Sequence, residues 1–87
     1  MDRSQPFRFA VVTAYRSEGR GTVVAGRVEQ GDVAMGARLV VERNGRGSAL
    51  HGLSGLRQPG QPALVALELP ELEPEDAVEG DVLVLGV

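Results

Sequence analysis

Residues 19–31 read Gly-Arg-Gly-Thr-Val-Val-Ala-Gly-Arg-Val-Glu-Gln-Gly, the segment that says most about the fold class. Over residues 22–29, Val24, Gly26 and Val28 occupy one face of an extended chain, and the intervening residues occupy the other. A two-residue period is typical of a β-strand, whereas a helix repeats every 3.6 residues. Glycine-rich turns flank the segment. We therefore predict a strand between two loops, with Gly26 at a bend or a close backbone approach.

The same period recurs on both sides of this segment. Upstream, the odd-numbered residues 7 to 15 share one face of a predicted strand over residues 6–16, while Val33 and Ala34 form a short edge or connecting segment. Asn44 and Gly45 predict a type I′ hairpin turn, in which both residues have positive φ. Further predicted strands cover residues 37–42, 47–53, 63–69 and 81–85, with a surface loop over residues 54–62.

The number and length of these segments predict the fold class. None is followed by a crossover long enough for a βαβ unit. Strands this short leave exposed edges unless the sheet closes. We therefore predict an all-β fold, a small closed six- or seven-stranded antiparallel β-barrel.

The length and composition indicate one ordinary globular domain. The chain has 87 residues, 43% hydrophobic and 24% charged, so we expect a single domain over residues 1–87, with residues 1–5 as a loose N-terminal tail. The absence of cysteine excludes disulfides, so an apolar core must stabilise the fold. No apolar run is long enough for a membrane helix and the first residues do not resemble a signal peptide. We expect no membrane contact and a cytoplasmic location.

The charges are distributed unevenly along the sequence. Residues 1–57 contain all nine arginines and five acids, a net charge of +4, whereas residues 58–87 contain seven acids and no base. If the fold separates these parts, one surface is basic and can bind a polyanion. Every basic residue is arginine, which suits bidentate contacts with phosphate, although a codon bias toward arginine explains the same composition.

The common catalytic and cofactor motifs are missing from the sequence. Without lysine there is no phosphate-binding P-loop, so we expect no GTP binding by this domain alone. His51 is the only histidine, which excludes a multi-histidine zinc site. The acids of residues 68–79 have no calcium-loop spacing and predict a solvated face. We expect no enzymatic activity, no metal and no cofactor.

Residues 19–31, followed by Gly36, resemble the second domain of elongation factor Tu and related translational GTPases. That β-barrel domain opens with a Pro-Phe strand, as Pro6 and Phe7 do here. It continues with Gly-Arg-Gly-Thr-Val-Val and Gly-Arg-Val-Glu, and it ends with a segment similar to residues 69–83. The resemblance covers nearly the whole chain in order, and it implies the β-barrel fold of the translation factors.

The resemblance also implies a function. In the family this domain is not catalytic: it contacts the acceptor end of aminoacyl-tRNA, touches ribosomal RNA and packs against neighbouring domains. By residue-level match, Arg20, Gly21 and Thr22 lie in the loop that faces ribosomal RNA, and Arg27 lies toward tRNA and the GTPase domain. Two departures weaken aminoacyl-tRNA capture: Gln30 replaces an arginine of the family, and the loop over residues 54–60 is shorter.

Two functional hypotheses follow. The first is a non-catalytic binding module that contacts ribosomal RNA or tRNA through an arginine-bearing face formed by Arg16, Arg20 and Arg27, with Gly21 and Thr22. Arg38 or Arg46 is a further candidate for this face. The second is a protein-interaction or regulatory module that docks on a GTPase domain or a ribosomal protein without binding RNA. For the second we expect Val23 and Val40 to point outward, and such apolar side chains also favour a homodimer.

Overall fold

A computed structural model of the protein describes residues 6–56 and 64–86, which form seven strands and one 3-10 turn. The strands are β1 Arg8–Ser17, β2 Gly21–Gln30, β3 Arg38–Val41, β4 Gly47–Ala49, β5 Gly52–Leu56, β6 Leu64–Glu68 and β7 Val82–Leu85, and the turn is Pro74–Asp76. All pairs are antiparallel, in the order β4-β3-β7-β1-β2-β6-β5. The prediction of an all-β antiparallel fold is confirmed. The predicted tail over residues 1–5 and most of the predicted loop over residues 54–62 lie outside the described residues.

The β1–β2 hairpin contains a bulge that changes which side chains face the core. Val11 lies opposite Gly26, but Thr13 lies opposite Ala25, so Val12 is the extra residue. Before the bulge the odd-numbered side chains are buried, and after it Ala14 packs against the core while Thr13 is exposed. The prediction of one continuous odd-numbered face was wrong beyond Val11, because a single extra residue reverses the alternation.

Gly26 allows β1 and β2 to approach closely at this bulge. A Cβ atom at residue 26 would overlap the Ala10 carbonyl oxygen and lie 2.8 Å from the Phe9 ring. The predicted close backbone approach at Gly26 is confirmed.

The core lies on the inner face of the curled sheet. Leu72 and Ala77, in the segment between β6 and β7, are each 1% exposed and close one end of it. The other largest core side chains are Phe7, Phe9, Leu39, Leu50, Leu67, Leu69 and Leu83.

The sheet curls but its ladder of strand pairs does not close, so the prediction of a fully closed barrel was wrong in this respect. β4 and β5 are the two edges of the described sheet, although only Leu50 and His51 separate them in the chain. Three residue steps span at most about 10 Å, so the end of β4 lies close to the start of β5. The predicted single fourth strand is thus divided, and its halves pair with opposite ends of the sheet.

The turn between β3 and β4 is longer than predicted. Gly45 has a φ of 74°, but none of the described non-glycine residues has a positive φ, which excludes a type I′ turn at Asn44 and Gly45. The Val41 amide donates to the Arg46 carbonyl at 2.7 Å, which leaves a four-residue loop. The Asn44 side-chain oxygen accepts from the Arg46 amide at 2.8 Å and fixes this loop.

The two valines that we predicted to be exposed are not. Val23 is 0% exposed, because it lies on an inner strand of the sheet between Tyr15 and Glu68, and Val40 is half-buried. The expectation of a homodimer through these valines therefore loses its basis. Among the residues that the structure describes, the exposed large apolar ones are Tyr15, Val28, Met35, Leu53, Val78 and Leu85.

In the part of the chain that the structure describes, no helix has the length and apolar character to cross a membrane.

Candidate functional site

The turn between β1 and β2 presents Arg20 to solvent. Gly19 and Gly21, on either side of it, have φ values of 83° and 79°, a conformation that glycine adopts at little cost. The Arg20 amide donates to the Ser17 carbonyl at 3.1 Å. The Arg20 side chain is 55% exposed and its Nε lies 3.6 Å from a carboxylate oxygen of Glu68.

Gly21 and Thr22 anchor this turn to the rest of the fold. A Cβ atom at Gly21 would lie 2.9 Å from the Cβ atom of Pro70. Thr22 is fully buried, and its hydroxyl donates a 2.6 Å hydrogen bond to the Leu72 carbonyl. The Leu69 amide in turn donates to the Thr22 carbonyl at 2.9 Å. These two residues thus position the turn, and the Thr22 side chain does not reach the surface.

Arg16 lies near Arg20 in the hairpin but on the other side of the sheet. Its partner in the strand register is Thr22, whose side chain points inward, and its guanidinium pairs with Glu73. Arg20 pairs instead with Glu68, which lies opposite Val23 on the alternate face. Both arginines therefore lie at the turn end of the hairpin, and their side chains lie on opposite sides of the sheet.

Arg27 lies apart from the other predicted site residues. It is exposed on β2 opposite Ala10, six residues beyond Gly21, which corresponds to about 20 Å along an extended strand. Among the described residues, no carboxylate lies within ion-pair distance of Arg27. The structure thus brings Arg16, Arg20, Gly21 and Thr22 together and leaves Arg27 at the opposite end of β2.

The fold interleaves the two charged parts of the sequence. Each acidic partner of five arginines comes from residues 68–81, so the fold does not meet the condition for one basic and one acidic surface. The pairs are Arg16–Glu73, Arg20–Glu68, Arg38–Glu71, Arg43–Asp81 and Arg46–Asp76, and Arg8 lies near Glu29 and Glu42. Antiparallel pairing places the C-terminal segment against the N-terminal hairpins, which brings the opposite charges together.

The Arg43–Asp81 pair differs from the others because it is bidentate and partly buried. Nε and Nη2 of Arg43 donate to the two Asp81 carboxylate oxygens, both at 2.8 Å, and Asp81 is 8% exposed. The hydrogen bonds from Arg43 lower the pKa of Asp81 from 3.8 to about 2, and the Val78 amide adds to the effect. The same hydrogen bonds raise the pKa of Arg43. This pair holds the β3–β4 loop against the start of β7.

The acidic partners were missed by the sequence analysis, which treated residues 68–79 as a solvated face. The sequence carried a usable signal at Glu68, because it is the one acid in an apolar strand, and the structure shows its side chain to be 25% exposed. A second signal was the three-residue spacing of Glu73 and Asp76, which is typical of a capped turn. The Glu73 amide donates to an Asp76 carboxylate oxygen at 2.9 Å, and this local contact shapes the turn at Pro74–Asp76. Within residues 6–56 and 64–86, no three potential metal ligands of the His, Asp or Glu type are grouped together.

Comparison with solved structures shows a similarity that covers nearly the whole chain. No protein-family model matches the chain. Among solved structures, the chain is similar to bacterial selenocysteine-specific elongation factor EF-Sec, with a TM-score of 0.79 and 26% sequence identity. The similarity covers 97% of this chain and 15% of the EF-Sec chain, so this protein corresponds to a small part of that factor. The chain resembles a β domain of the elongation factor Tu type, as the sequence predicted.

Proposed function

We propose that this chain, a translation-factor-like β module, is non-catalytic and contacts ribosomal RNA or tRNA through Arg16, Arg20 and Arg27. The observation that carries the proposal is the similarity of nearly the whole chain to part of an elongation factor. In this proposal Gly21 and Thr22 hold the turn that presents Arg20. A module of this kind acts where translation takes place, in the cytoplasm.

The ion pairs of Arg16 and Arg20 leave both residues available to a phosphate. The Arg16 side chain is 56% exposed and that of Arg20 is 55% exposed. Exposed pairs of this type contribute about 0–1 kcal/mol, so exchanging a carboxylate for an RNA phosphate costs little. A guanidinium can then form two parallel hydrogen bonds to the phosphate oxygens.

The interleaved charges limit the strength of this contact. The chain has a net charge of −3, and most of the described arginines already have acidic neighbours. If three arginines each neutralise one phosphate of single-stranded RNA, the logarithm of the affinity falls with the logarithm of salt concentration with a slope of about −2. We therefore expect weak, salt-sensitive binding.

The experiment is a titration of the protein with ribosomal RNA fragments, aminoacyl-tRNA and whole ribosomes at about 50 and 200 mM salt. Arg20→Ala and Arg27→Ala are compared with Arg38→Ala, a matched control that removes one exposed arginine from β3. We expect each site variant to lower the affinity several-fold and to reduce the salt slope by about 0.7, as loss of one phosphate contact on single-stranded RNA does. Equal affinities for the site variants and the control would refute an RNA contact through these arginines.

The second candidate is a module that docks on a GTPase domain or a ribosomal protein without binding RNA. It is favoured by the exposure of Val28 and Leu53, at 42% and 43%, which line the same opening. The same titration separates the two candidates. Absence of RNA binding at low salt, with retained binding to a protein partner, would favour the second.

A further inference from the structure

We propose that the opening beside β5 accepts an extended segment of a partner protein, which adds to the sheet as a strand. This opening, here termed the β5 slot, has a volume of about 390 Å³ and lies between β5 and residues 31–33. Its lining includes Phe7, Val28, Val33, Leu53 and Val65. The occupant is a segment with alternating apolar side chains and a nearby lysine or arginine.

The first argument is the unpaired edge of β5. Among the described strands, β5 pairs only with β6. At Leu50, just before β5 begins, the chain still forms backbone hydrogen bonds on the side away from β6. The Leu50 amide donates to the Ala37 carbonyl at 2.9 Å, and the Gly36 amide donates to the Leu50 carbonyl at 2.8 Å. Beyond Leu50 the described sheet has no strand on that side. An exposed strand edge offers amide and carbonyl groups to an incoming strand.

The second argument is that inward-facing apolar side chains are exposed at this opening. Val28 lies opposite Phe9 and Leu53 lies opposite Leu67, and both partners are fully buried core residues. Val28 and Leu53 therefore point to the core side of the sheet, yet each is more than 40% exposed. An added strand would place every second side chain against them and cover apolar surface now in contact with water.

Gly55 on β5 lies opposite Val65, which is one of the residues that line the slot. Gly55 is two positions from Leu53, so a side chain there would point to the same face. A Cβ atom at Gly55 meets no described atom within 4 Å. Gly55 therefore gives the occupant room for a side chain, and a larger residue at this position would fill that room.

The third argument concerns the charge at the rim of the slot. Asp32 lines the slot and is exposed, and within the described residues no arginine lies within ion-pair distance of it. A carboxylate beside an apolar opening attracts a lysine or arginine and repels RNA phosphates. The slot is therefore suited to a peptide segment. Its Val28 follows Arg27 in β2, so the side chains of these two residues point to opposite faces of the sheet.

The test is a selection of peptides from a random display library on the wild-type protein, with removal of those that also bind Gly55→Val. Valine suits a strand and fills the slot without a clash, so this variant should stay folded. We expect the selected peptides to alternate apolar and polar residues and to carry a lysine or arginine. They should slow hydrogen exchange at amides of β5, and Leu53→Ser should weaken their binding about tenfold, the effect of losing a buried aliphatic contact.

Two further variants make the test specific. Asp32→Lys should lower the affinity about threefold, as expected for a rim charge pair. Val78→Ser removes an equally exposed valine outside the slot and should leave the affinity unchanged. If all the peptides that bind wild type also bind Gly55→Val, or if the selection yields no binder, the proposal is overturned. Concentration-dependent dimerisation that Gly55→Val abolishes would identify a second copy of this chain as the occupant and would also overturn it.

Discussion

Thr22 connects the candidate site to the core through the hydrogen bond of its side chain. Its hydroxyl donates to the Leu72 carbonyl at 2.6 Å in a fully buried environment. Thr22→Val keeps the shape but leaves that carbonyl without this donor, so we expect the free energy of unfolding to fall by about 1–2 kcal/mol. Urea denaturation measures the change. Thr22→Ser, which keeps the hydroxyl, serves as the control, and a loss in Thr22→Ser equal to or larger than that in Thr22→Val would contradict this role.

Asp81 gives the fold a sensitivity to acid. Because the pKa of Asp81 is lowered to about 2 in the folded protein, its charged form stabilises the fold above its ordinary pKa of 3.8. This contribution is lost as the pH falls from 3.8 through about 2, since the unfolded chain takes up the proton first. Asp81→Asn should lower the free energy of unfolding at neutral pH by about 1–2 kcal/mol. This value already allows for the screening of the exposed Arg43 side chain by solvent.

The measurement for Asp81 is the free energy of unfolding between neutral pH and pH 2. The difference between wild type and Asp81→Asn should shrink across the acid range. Glu79→Gln, which neutralises an exposed acid two residues away, is the matched control and should behave like wild type. A constant difference between wild type and Asp81→Asn down to pH 2 would show that the Arg43–Asp81 pair is not the source of the acid sensitivity.

The β1–β2 hairpin depends on the absence of a side chain at Gly26. A methyl group there would overlap the Ala10 carbonyl oxygen, so β1 and β2 cannot keep their register. We expect Gly26→Ala to lower the free energy of unfolding by about 3 kcal/mol or more, as overpacking against backbone does. Gly55→Ala is the matched control, because its methyl group meets no described atom and should be neutral or stabilising. Similar thermal unfolding of the two variants would argue against the close approach at Gly26.

The positions of the strands were largely predictable from the sequence, whereas the side chains that each strand buries were not. Alternation over residues 22–29 correctly identified β2, because a two-residue period reflects the geometry of the strand itself. The bulge at Val12 was not predictable from β1 alone, since it arises from the fit of β1 against Gly26 and Ala25. The burial of Val23 depends on its neighbours Tyr15 and Glu68, which lie on other strands.

Across the whole chain, the charge pattern shows most clearly what a sequence leaves open. The sequence gives the net charge of residues 1–57 and of residues 58–87 directly. The arrangement of the charged side chains in space depends on which strands pair. Arg20 lies 48 positions from Glu68 in the sequence and 3.6 Å from it in the fold. The turn that carries Arg20 was identifiable from its glycines, whereas its acidic partner required the β2–β6 pairing.

The most direct test of the central claim is to map the RNA contact on the isotope-labelled protein by NMR, using a ribosomal RNA fragment at low salt. The account predicts amide shifts at residues 16–21 and near Arg27, which disappear as salt is added and weaken in Arg20→Ala. Residues of β5 should remain unaffected. Shifts confined to β5 and residues 31–33, or none at any salt, would contradict an RNA-contacting module and favour one that docks on proteins.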